Sequence, residues 1–135
     1  MATNIERFRG TWDIAWVDGF SPVLQRGWKL LLGTGAHGAS PPEGDTIGFA
    51  LLEPQPQPLP DGSTHYTLYA STDQLGPLML LDGQLRWDGK SKDDIEIRIY
   101  ISLAETATET WLYGTTLGGD PDQVAVWGAN DSPPP

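Results

Sequence analysis

The chain has 135 residues, of which 39% are hydrophobic and 10% aromatic, with six tryptophans; this is the make-up of one folded domain and excludes a disordered chain. Eighteen acidic residues against eight basic ones give a net charge of −10, which repels phosphate backbones and anionic headgroups, so neither nucleic acid nor membrane is expected as a partner. The absence of cysteine excludes thiolate metal sites, disulfides and cysteine nucleophiles, and points to a cytoplasmic location.

No signal-peptide core is present in "MATNIERFRG", and no run approaches the ~18 apolar residues of a membrane helix. Apolar or alternating runs bounded by glycine, proline or Asp-Gly predict strands over 10–17, 28–32, 46–53, 64–72, 78–81, 84–87, 94–103, 108–116 and 123–127. That spacing is the pattern of an all-β sandwich or barrel. One short helix is expected in "SPVLQRGWKLLL", with Ser21 as N-cap and Pro22 in the first turn. In "IEIRIYISL", Ile95, Ile97, Ile99 and Ile101 share one face, opposite Glu96, Arg98, Tyr100 and Ser102.

Turn chemistry supports this reading. Asp82-Gly83 lies between two apolar runs, the pattern of a type I′ hairpin in which both central residues need positive φ. Asp61-Gly62 and Asp88-Gly89 are read as the same device, and Asp18-Gly19 as the end of the first strand. The proline-rich stretch at 54–60 reads as a stiff extended loop, and 129–135 as a frayed tail of a single domain spanning 1–135.

"GTGAHG", Gly33 to Gly38, fits the dinucleotide fingerprint by letter. It runs into "ASPPEGD", where two prolines prevent the helix that must receive the pyrophosphate. No cofactor is therefore expected. His37 and His65 lie far apart with no carboxylate pair at ligand spacing, so no metal is expected either. Nucleophile elbows and recognisable triads are absent. For acid–base work the candidates are Glu96, Tyr69 and Tyr100, although a solvent-facing charge is the commoner state of such a glutamate.

The opening "NIERFRGTWDIA" resembles the first signature of the calycin superfamily, which groups lipocalins, fatty-acid-binding proteins and avidins. Gly10 and Trp12 match the lipocalin Gly-x-Trp. Phe8, Gly10, Thr11, Trp12 and Phe20 match the Phe-x-Gly-Thr-Trp start of fatty-acid-binding proteins and the phenylalanine that follows it. "TETWLYGTT" is similar to a late avidin strand only at Trp111 and Leu112. The resemblance implies an antiparallel up-and-down β-barrel of about eight strands. It also implies that Trp12 closes one end against an arginine, either Arg98 or Arg86. The carboxylate anchor of fatty-acid-binding proteins is missing from the end of this chain; Arg98-x-Tyr100 carries its letters in an earlier strand.

The expected function is binding of a small apolar or amphipathic molecule inside the barrel, with Trp12, Trp16, Trp28, Tyr66, Trp111 and Trp127 as the lining. Two alternatives stand beside it. One is a cofactor-independent cyclase or isomerase acting by shape and water exclusion, as some calycin-like barrels of natural-product pathways do. The other is a β-sandwich that binds protein or sugar through surface aromatics.

Overall fold

A computed structural model describes residues 4–91 and 94–131. After a 3₁₀ turn at Ile5–Phe8, the strands are β1 (Gly10–Gly19), β2 (Lys29–Leu32), β3 (Thr46–Ile47), β4 (Phe49–Pro54) and β5 (Tyr66–Ser71). A one-turn helix α1 (Thr72–Leu75) precedes β6 (Leu78–Leu81), β7 (Gln84–Lys90), β8 (Glu96–Glu105), β9 (Thr110–Gly118) and β10 (Val124–Asp131). All ten strands join one antiparallel sheet in the order β3-β6-β7-β8-β9-β10-β1-β2-β4-β5. At one end of this order β3 runs through Gly48 directly into β4, next to the last strand at the other end. The sheet therefore curls back on itself into a barrel-like shape.

The strand count is ten rather than about eight. Part of the excess is the break at Gly48, which divides the expected strand over 46–53. There the chain turns to the neighbouring loop: the Gly48 N–H donates to the Ser40 carbonyl (3.0 Å), and its own carbonyl accepts from the Gly33 N–H (2.9 Å). A Cβ at position 48 would overlap the Ser40 amide and hydroxyl.

Inward side chains of the strands form the core, with Trp12, Ile14, Leu85, Ile101, Leu112 and Trp127 almost fully buried. The expected alternation in β8 holds, with Ile97 and Ile101 buried and Glu96 and Arg98 exposed. In β1 the alternation is broken. An extra residue, Ala15, sits between the pairs Ile14–Ala129 and Trp16–Gly128. This bulge keeps Trp12 and Ile14 inside but turns Trp16 outward. The run Leu30–Leu32 is buried on both faces because Leu31 packs outside against Ala39, Ala50 and Leu52, under the 33–40 loop.

Three further expectations are corrected. No helix forms at Ser21; Gly27 N–H donates to the Ile14 carbonyl and Ile14 N–H to the Trp28 carbonyl, so the ladder to β1 takes the backbone groups a helix would need. Instead Val23 and Leu24 drop into the core from an irregular turn. Asp88-Gly89 stays inside β7, paired with Arg98 and Ile97. Residues 129–131 continue β10 rather than fray, while 132–135 lie outside the described residues. The Asp82-Gly83 turn is as expected, with positive φ at both residues and Leu81 paired to Gln84.

The Asp61 turn carries a pH signature. Its carboxylate accepts from the Ser63 hydroxyl (2.6 Å) and the Ser63 N–H (2.9 Å), which together hold its pKa below the ordinary 3.8. A lowered folded-state pKa adds stability above the unfolded value that is lost as pH falls through the folded one, so the turn weakens only below 3.8. Ser63→Ala is expected to move the Asp61 midpoint upward in a carboxyl-carbon NMR titration. An unchanged midpoint would show that the hydroxyl does not bond to the carboxylate in solution.

Candidate functional site

Three buried tryptophans tie separate pieces of the fold together through their indole N–H groups. Trp12 donates to the Phe8 carbonyl (2.9 Å), fixing the leading 3₁₀ turn against β1. Trp127 donates to the Thr116 hydroxyl (2.9 Å), with both residues at 0% exposure. Trp87 donates to the Leu75 carbonyl (3.1 Å), holding the C-terminal end of α1 over the barrel. Each pairing satisfies a polar atom that would otherwise be costly to bury.

Beneath α1 and the 20–28 turn lies a cavity of about 40 Å³. Val23, Leu24 and Leu75 line it from the connecting segments. From the strands Ala70, Ile99 and Trp127 contribute, with Tyr69 and Ser91 as the members that carry hydroxyls. The Tyr69 ring meets Trp28 at a centroid distance of 5.1 Å. The space exceeds the ~10–15 Å³ that admits one water, yet its lining is overwhelmingly apolar, which is the character of a dry void.

The expected site residues divide between the two faces of the sheet. Trp12, Trp28, Tyr69 and Trp127 point inward; of these, Tyr69 and Trp127 line the cavity, while Trp12 and Trp28 pack in the adjoining core. Trp16, Trp111 and Tyr66 stand on the outer face instead of the lining. Tyr66 packs against the outer cluster of Leu31 and Leu52, with the Lys29 ammonium 5.3 Å from its ring centre.

Glu96 and Tyr100 are outside as well. The Arg86 guanidinium lies 5.7 Å from the Tyr100 ring centre, and Arg98 faces Asp88 at 3.7 Å. Neither arginine faces Trp12, so the tryptophan–arginine contact implied by the resemblance is made by neither. Phe20 is 65% exposed beyond the end of β1. Sequence reasoning missed Trp87 and Leu75 as lining residues. Trp87 was legible from its alternation with the buried Leu85, whereas Leu75 belongs to a one-turn helix with no periodic signal.

Fold and site together define an all-β, barrel-like protein with a small apolar interior cavity under a cover of connecting segments. No family model matches the chain, and no curated protein or solved structure is significantly similar to it. No described helix is long and apolar enough to cross a membrane. Among the described residues no group of three or more histidine, aspartate or glutamate side chains is placed to hold a metal ion.

Proposed function

We propose that the protein binds a small apolar or amphipathic molecule in the interior cavity. The observation that carries this reading is the cavity's position: apolar walls from the strands, and a cover made by Val23, Leu24 and Leu75, none of which lies in a strand. Connecting segments move more readily than paired strands. A ligand larger than the resting 40 Å³ is admitted by outward displacement of this cover, and its apolar part replaces the side chains that leave. The polar end of an amphipathic ligand is directed to the Tyr69 and Ser91 region. A calycin-like barrel is the finer form of the fold in this reading, resting on Phe8, Gly10, Thr11 and Trp12 at the entrance to β1 and on the joining of the sheet ends through Gly48.

Binding is favoured over catalysis because Tyr69 alone among the acid–base candidates lines the cavity, and no carboxylate does. The test is a fluorescence titration with benzene, 1-octanol and a linear polyene, followed by mass analysis of each mixture. Trp87 and Trp127 are the reporters at the cavity. Saturable quenching with unchanged ligand is expected, together with at least a tenfold loss in Ala70→Phe, whose ring fills the void. Absence of saturable binding by all three probes would overturn the reading, and a new isomer would replace it with the cyclase alternative.

A further inference from the structure

We propose that the outer face of β9, β10 and β1 docks an arginine-bearing segment of a partner protein. Three aromatic rings stand on this face in a row. Trp16 meets Tyr113 at 6.3 Å between centroids, and Tyr113 meets Trp111 at 6.3 Å with the planes 15° apart. The Trp16 indole lies over Gly128, which separates it from Tyr113 in register and where a Cβ would overlap it; its plane is tilted 49° to that of Tyr113. Val124 and Val126 extend the patch along β10. Trp16, Tyr113 and these two valines are between 37% and 45% exposed. Contiguous exposed aromatic and apolar surface of this kind marks an interaction site, and tryptophan and tyrosine are the residues that anchor interfaces.

Charge decides the occupant. The three strands contain no lysine, arginine or histidine; Asp13 in β1 is paired to Lys29 of β2 at 2.7 Å, while Asp18 and Asp131 lie in the strands and Glu109, Asp120 and Asp122 flank them. The row ends in a groove of about 350 Å³ lined by Glu109, Trp111, Asn130 and Asp131. The Glu109 carboxylate accepts from the Trp111 indole N–H at 3.1 Å, so acid and aromatic face are held side by side. A guanidinium uses both groups together: its plane stacks on the ring, and its N–H fork donates to the carboxylate. The net charge of −10 steers such a partner inward and opposes a second copy of this chain, which would bring like charges face to face. A neutral saccharide would stack on the rings and donate hydroxyls to the carboxylates, but the net charge would not steer it to this face.

The test is calorimetric titration of the full chain with a synthetic peptide alternating arginine and glycine, at low and at physiological salt. Matched lysine–glycine and glutamate–glycine peptides and a neutral glucan oligosaccharide serve as comparisons. The arginine peptide is expected to bind most tightly and to weaken about tenfold with salt. The double variant Trp111→Ala/Tyr113→Ala should weaken it about tenfold without lowering Tm. Glu109→Gln should flatten the salt dependence, and Ala70→Phe should leave this binding intact, which separates it from the interior cavity. Tighter binding of the saccharide, self-association through this face, no peptide binding, or peptide binding indifferent to loss of the two rings would each overturn the proposal.

Discussion

Trp127→Ala is expected to cost about 3–5 kcal/mol of stability, the range for deleting a fully buried large aromatic. Two effects add. The indole leaves a hole at the centre of the core, where Trp127 is 0% exposed. Its N–H also stops satisfying the buried Thr116 hydroxyl. The strand partner directly opposite is Gly114, and a Cβ there would overlap the indole ring. The tryptophan therefore occupies the volume that a side chain at 114 would take. Gly114→Val alone should destabilise by about 1–3 kcal/mol through overpacking. Combined with Trp127→Ala, it should cost less than the sum of the single changes, since each relieves part of what the other causes. Urea unfolding of the four proteins measures the coupling; strict additivity would show that the two positions do not share this space. Because Trp127 also lines the cavity, Trp127→Ala should shift the preferred probe towards larger molecules.

Gly48→Val is expected to open the seam where the sheet curls back on itself. A Cβ at this position has no room beside the Ser40 amide. The hydrogen bonds from Gly48 to Ser40 and from Gly33 to Gly48 are the ones that must yield. The loss should be about 1–3 kcal/mol, and it should be local before it is global. Amide exchange should accelerate first at Gly33, Gly48 and the β3–β6 pair Ile47–Leu78, while the long β8–β9 ladder keeps its protection. Uniform acceleration along all strands would show that Gly48 is not a separate seam.

Local chemistry made much of the fold legible. The Asp82-Gly83 hairpin follows from the φ > 0 requirement of its turn, and the inward isoleucines of β8 from the two-residue period of a strand. Both signals are contained within a few consecutive residues. The candidate site was less legible, because the face a tryptophan takes depends on the phase of its strand. Trp12 and Trp16 share a parity that places both inside, and the bulge at Ala15 sends Trp16 out. Tyr66 and Trp111 needed the identity of their neighbours across the sheet, and Glu96 needed the curvature that decides which side of β8 is interior.

The sequence by itself determined the class of structure: all-β and strongly acidic, with its strands near the expected stretches and its aromatics concentrated in them. Short-range sterics and alternation suffice for that. Tertiary structure decided the rest. It sorted the six tryptophans into four that face the core and two that stand outside, and divided one expected strand at Gly48. It also folded the 20–28 segment into an irregular turn tied to Ile14 of β1 in place of a helix. Each of these outcomes is set by contacts between residues far apart in the chain, where packing volume and backbone hydrogen bonds from other strands outweigh local preference.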